Sequence, residues 1–212
     1  MNSLVQRIDN IIEEQSLLKH KFYAMWNEGK LSLESLNGYS KEYFQVVKSV
    51  PSFVGAIMEN SPYNIRNKLA SNKQEEYEHI EPWIKFAGAV GVSRTELENY
   101  KGLDKTRHAI SNLSGLMNSF EGGASAMYAL EQEIPKISIT KIDGLRKFYG
   151  ITDDDSTDYF RIHTEADIRH AVLWRRILEN IPASREDDLV QAASKSLAAQ
   201  NLLLDSCYEA YC

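Results

Sequence analysis

Two histidines and an aspartate in the segment IHTEADIRHAV, namely His163, Asp167 and His170, are the residues of this chain best placed to do chemistry. On a helix advancing about 100° per residue, Asp167 lies roughly 40° to one side of His163 and His170 roughly 20° to the other. The three side chains are therefore expected to leave one helix face. Two imidazoles and a carboxylate make a ligand set that suits iron or manganese, although zinc accepts the same donors. The same spacing also fits core histidines bonded to carbonyls, with Asp167 paired to Arg169 or Arg175.

Two earlier segments add donors. Glu75 and His79 stand one helical turn apart. Glu131 lies in YALEQEIP, where Tyr128, Ala129 and Leu130 point to burial, and carboxylates are rarely buried unless paired or bound to metal. Considered alone, Glu131 reads equally as a water-facing carboxylate near Pro135. Taken together, the segments supply three histidines and three carboxylates from three helices, the inventory of a two-metal carboxylate centre in a bundle. His20 and His108 have no partners at ligand spacing. Cys207 and Cys212 are expected to be free thiols, and neither adjoins a His/Asp pattern that would make it a nucleophile.

The elements that must position these donors are helices. Apolar residues recur at three- and four-residue spacing, and no segment alternates as a strand does. The pattern predicts a first helix from Leu4 to about Trp26 and a second capped by Ser32, with Ser35 at the fourth place of a capping box. That second helix runs past Val47 and is kinked at Pro51. Ser61-Pro62 starts the helix bearing Glu75 and His79, and Ser93 caps a short one. A long helix is expected from Asp104 to Glu133, ended by Pro135, with the stretch Gly122 to Ala126 allowing close helix approach. Thr140–Tyr149 follows, then a helix from the acidic start at Asp153 to about Asn180, and a last one from Glu186 to Tyr208. The expectation is an all-α, single-domain bundle of about seven helices over residues 1–212.

Bulk properties exclude several functions. Over 212 residues, 43% are hydrophobic, 25% are charged and the net charge is −6. An acidic globular chain is a poor nucleic-acid binder, because duplex binding needs a basic face. No apolar run approaches the roughly 20 residues that span a bilayer, and the N-terminus carries charges where a signal peptide's apolar stretch would lie. A cytoplasmic location and no membrane partner are the expectations.

Longer stretches resemble a known family. HKFYAMWNEGKLSLESLNGYSKEYF, NKQEEYEHIEPWIKFAGAVGV, MYALEQEIPKISITKIDGLRKFYG and FRIHTEADIRHA resemble the haem-oxygenase-like di-iron oxidases, in the family's order. Within that family they are most similar to the self-sacrificing p-aminobenzoate synthases of folate biosynthesis. The resemblance implies a homodimer of haem-oxygenase-like fold that binds two iron ions, with manganese acceptable in one site and no haem. It implies reaction with O2 on a small organic substrate or on the protein's own side chain. The implied iron ligands are Glu75, His79, Glu131, His163, Asp167 and His170.

The family's first glutamate usually precedes its histidine by seven residues, a count that lands here on Asn72. Alignment on Asn-x-x-Glu-Glu selects Glu75 instead, with Glu76 next in order. Tyr23 matches the tyrosine that the family consumes, and Lys141 the lysine implicated in supplying the amine. Without the resemblance, Tyr23 reads as a core aromatic and Lys141 as a solvated lysine. A second tyrosine, expected just before the central glutamate, is Leu130 here, with Tyr128 one turn away as a partial substitute. The competing functions are an oxidase acting on a different external molecule and a metal-free helical module that binds another protein.

Overall fold

Side chains that capture free backbone amides decide where these helices start. In the computed structural model, which describes residues 3–212, α1 (Leu4–Glu14) begins where the Ser3 side chain accepts from the Gln6 amide. The run expected to reach Trp26 is broken. Ser16 and His20 turn their side chains onto the amides of Leu18 and Phe22, and a 3₁₀ turn separates α1 from α2 (Lys21–Asn27). Ser32 and Ser35 form the expected capping box of α3 (Leu33–Val47). Pro51 does not kink a continuous helix; it sits in the first turn of a new one, α4 (Val50–Glu59), where a missing N–H is harmless.

α5 (Arg66–Glu78) and α6 (Ile80–Ala89) meet at His79, and Ser93 caps α7 (Arg94–Asn99). The single helix expected from Asp104 to Glu133 is two, α8 (Asp104–Leu116) and α9 (Phe120–Glu131), because Ser119 caps the Gly122 amide. Pro135 likewise opens a helix, α10 (Ile134–Phe148), which therefore begins before Thr140. Asp153 caps α11 (Asp154–His163) through the Ser156 amide, and a joint at Thr164–Glu165 separates it from α12 (Ala166–Leu178). α13 (Glu186–Tyr211) completes the chain.

All regular structure among the described residues is helical. Four pairs of segments abut across joints of one or two residues, so the thirteen segments form nine rods. α13 is the central one and packs most extensively on α9 and α8. The small residues of α9 permit this approach: Ser125 Oγ donates to the Leu189 carbonyl at 2.7 Å, and Ser196 Oγ to the Ala126 carbonyl at 2.8 Å. Residues from α1 to α13 share one apolar core, in which Trp26, Trp83 and Trp174 are fully buried. Gly144 brings α10 against Trp26, since a Cβ there would lie 2.6 Å from the indole. No helix among the described residues is long and apolar enough to cross a membrane.

Candidate metal centre

The joints between helices aim the donors inward. The α5/α6 joint presents Glu76 and His79, α9 ends on Glu131, α11 ends on His163, and the first turns of α12 carry Asp167 and His170. All six side chains are buried. Five of them compose two donor groups, Glu76–His79–His163 and Glu76–Asp167–His170, each with its ligand atoms within 4.8 Å of one another, and Glu131 lines the cavity beside them. Glu76 belongs to both.

Two expectations change here. His163, Asp167 and His170 do not share one continuous helix; the Thr164–Glu165 joint lies between them, and the bundle rather than helical phase brings them together. Of the adjacent glutamates, Glu76 occupies the centre and Glu75 its rim. The Glu76 side chain is 7% exposed and that of Glu75 is 35% exposed. Helix α5 stops at Glu78, so the inward pair is Glu76 with His79, three residues apart. Asn72, the position reached by the strict count, is buried one turn earlier and offers only a neutral amide.

Glu75 has a different task. Its Oε2 accepts from His170 Nε2 at 3.1 Å and from Arg169 at 3.0 Å. That bond puts the proton of His170 on Nε2 and turns Nδ1 inward, 2.9 Å from Glu76 Oε1. His163 is oriented in the same way. Its Nδ1 donates to the Tyr159 carbonyl at 2.6 Å, which leaves the Nε2 lone pair free to ligate. Trp174 Nε1 donates to Glu131 Oε2 at 2.8 Å. Neither arginine weighed as a partner for Asp167 pairs with it: Arg169 bonds Glu75 and Arg175 bonds Glu179.

The electrostatics call for a cation. Burial raises the carboxyls of Glu131 and Asp167 well above the ordinary range, and the charge on Glu76 raises both further. Burial also works against Glu76, but its close interactions with the imidazoles of His170 and His79 outweigh it and bring that carboxyl down to about 2. Burial, aided by His79, holds His163 at about 3 and therefore neutral. Glu131 Oε1 and Asp167 Oδ2 are buried without any hydrogen-bond partner. Such oxygens are costly unless satisfied. A divalent cation would satisfy them and return both acids to the ionised form, so this donor set fits a metal.

Beside the donors lies a cavity of about 20 Å³, lined by Tyr43, Leu130, Ile134 and Tyr159 along with the acids. A single water needs roughly 10–15 Å³, whereas pockets for organic ligands span roughly 300–1,000 Å³. The larger grooves, such as the one between His20 and Tyr208, lie on the surface away from the acids.

On the far side of Tyr43 is an aromatic cage around Lys141. The Nζ lies 4.9 Å from the Tyr23 ring centroid, 4.8 Å from that of Tyr39 and 4.9 Å from that of Tyr43. It also hydrogen-bonds Tyr39 Oη, which lies 3.3 Å from Tyr23 Oη. Trp26 Nε1 anchors this turn of α10 by donating to the Lys141 carbonyl at 3.3 Å. Lys141 is buried rather than solvated, and its amine contacts aromatic rings and the Tyr39 hydroxyl. Burial lowers its amine to about 7. Burial also raises the phenols of Tyr23 and Tyr39 well above the usual value. Tyr128 does not stand in for the missing tyrosine: its hydroxyl donates to Asp9 at 2.7 Å, toward α1. Leu130 lines the cavity in that tyrosine's place. Tyr39 and Tyr43 escaped the sequence reading, though their four-residue spacing on α3 was a signal that both face the same neighbour.

Comparison with known proteins places the chain. Residues 37–201 match a family described as iron-containing redox enzyme. A 4-aminobenzoate synthase from Nitrosomonas europaea is 32% identical, covering 100% of this chain and 93% of that protein. Another from Chlamydia pneumoniae is 31% identical over 93% of this chain and 91% of its own length. Among solved structures, a TenA homologue from Pseudomonas syringae superposes with a TM-score of 0.85 at 18% identity, covering 97% of this chain and 93% of that one.

Proposed function

We propose, for a chain that belongs to the family of iron-containing redox enzymes, that residues 1–212 form one oxidoreductase domain whose Glu76, His79, Glu131, His163, Asp167 and His170 hold two iron ions. Its product is p-aminobenzoate, with the ring drawn from Tyr23 and the nitrogen from Lys141. Iron in this centre supplies the reduction of O2 that drives the oxidation.

The observation that carries this reading is the pairing of a cavity fit for a diatomic molecule with a sealed cage that already contains a phenol and a neutral amine. The cavity beside the donors is small, and the ring and the amine are parts of the chain. At neutral pH about half of the Lys141 amine is unprotonated and so nucleophilic. Among the described residues it is also the one base hydrogen-bonded to Tyr39, and it therefore receives protons released by the tyrosines. Tyr39, bridging Lys141 and Tyr23, holds the amine against the ring to be aminated. Leu130, Ile134, Val46 and Val50 keep water from the donors. The product has a single carbon outside its ring, so that carbon is Cβ of Tyr23 and the Cα–Cβ bond is broken. Each chain therefore acts once.

Protein labelled with ring-¹³C tyrosine, loaded with ferrous iron and exposed to O2, is expected to release fully ring-labelled p-aminobenzoate, at no more than one molecule per chain. Tyr23→Phe is expected to release none. Unlabelled product, or repeated turnover by one chain, would show that the substrate comes from outside.

A further inference from the structure

Tyr43 stands between the two halves of the site. Its ring lines the small cavity shared by Glu76, Glu131, His163 and Asp167. The other side of the same ring meets Tyr39, with centroids 5.4 Å apart and planes at 31°. Tyr39 in turn meets Tyr23 at 6.4 Å. Tyr43 is partly buried against the core, and desolvation, with Asp167 and Glu76 nearby, raises its phenol above the ordinary value. Tyr23 itself does not line the cavity. An oxidant formed at the donors must therefore draw electrons from Tyr23 through protein, and such transfer is fast only when oxidisable groups stand in contact along the way.

We infer that Tyr43 is the electron relay that connects the metal centre to the Tyr39–Tyr23–Lys141 cage, in the role for which Leu130 has no oxidisable group. The inference rests on the proposed function. Tyr43 gives one electron and its phenolic proton to the oxidant formed from O2 and ferrous iron. Tyr39 refills Tyr43 with an electron, and Lys141, in contact with all three rings, carries the proton from Tyr39 to Tyr43. Tyr23 then refills Tyr39 with an electron and, across their hydrogen bond, a proton. The net transfer is one electron and one proton from Tyr23 to the oxidant, and Tyr39 and Tyr43 end as intact phenols.

A second route exists through Tyr159, which lies 4.0 Å from the His163 ring and meets Trp83 edge-on at 4.6 Å, with Trp83 5.9 Å from Tyr39. It requires an extra step through Trp83, and Trp83 contacts neither Tyr23 nor Lys141. The route through Tyr43 is shorter and keeps Lys141 beside all three rings.

Freeze-quenched electron paramagnetic resonance after mixing ferrous protein with O2 tests the relay. Wild type is expected to give a tyrosyl radical, and 2,3-difluorotyrosine at position 43 is expected to change its hyperfine pattern. Tyr43→Phe, checked to bind iron as wild type does, is expected to lose the radical and the labelled product. Adding Leu130→Tyr to Tyr43→Phe is expected to restore part of both. An unchanged radical and product in Tyr43→Phe would overturn the relay while leaving the proposed function intact, as would their loss in Tyr159→Phe alone. Absence of product from iron-loaded wild type would instead remove the proposed function on which the relay rests.

Discussion

A Glu76→Ala chain is expected to retain almost no iron after ferrous loading and desalting, whereas Glu75→Ala keeps most of it. Glu76 is the one residue common to both donor groups, so its loss opens both positions at once. It also balances His79 and His170, whose rings lie 3.3 and 2.9 Å from its oxygens. Of the six donors, Glu75 touches only His170, at its outer nitrogen. Losing an outer partner of this kind typically weakens metal binding by about 10- to 100-fold, which saturating iron largely conceals. The metal-free Glu76→Ala chain should still fold. Its removal relieves the repulsion that lifts Glu131 and Asp167, which offsets part of the lost pairing. Iron counted per chain decides the matter. Retention by Glu76→Ala, or equal loss in both variants, would overturn the assignment of Glu76 as the shared ligand.

Lys141→Met is expected to abolish product formation and yet to stabilise the metal-free protein. The amine falls from 10.5 in the unfolded chain to about 7 in the cage, because burial disfavours its charge. Below the folded value both states carry the proton, and the folded state bears the full cost of a buried cation. Between the two values only the unfolded chain is protonated, so that cost shrinks as pH rises. Methionine fills a similar volume without the charge. The variant should therefore gain about 5 kcal/mol at pH 6 and about 2 kcal/mol at pH 9. Parallel denaturant titrations of both metal-free proteins would check it, since other groups titrate alike in each. A destabilised variant, or a gap that does not narrow with pH, would contradict a buried lysine of this kind. A fold that carries so costly a cation gains from it in chemistry, not in stability.

The helices were legible because their start signals are local. Ser32, Ser93 and Asp153 announce caps that the structure contains. The breaks at Ser16, Ser119 and Thr164 were not, since apolar spacing continues across them and only tertiary packing decides that the chain turns. Pro51 and Pro135 show why a proline is ambiguous in sequence: it can end one helix or open the next, and here both open one. At the site, residue type and spacing picked out His163, Asp167 and His170 although the helix assumed to carry them is interrupted. The choice between Glu75 and Glu76 depended on where α5 stops, which no local signal records. Tyr39 and Tyr43 carry no local mark of a role. Their meaning comes from Lys141, 102 residues away from Tyr39 in sequence and hydrogen-bonded to it in the fold.

The most direct test of the account is the number of irons bound per folded wild-type chain after anaerobic loading with ferrous salt and removal of the excess. Two donor groups joined through Glu76 predict close to two irons, magnetically coupled after oxidation. A chain that binds no iron under these conditions would contradict the account at its centre, leaving the buried acids without a partner and the cage around Tyr23 and Lys141 without an oxidant.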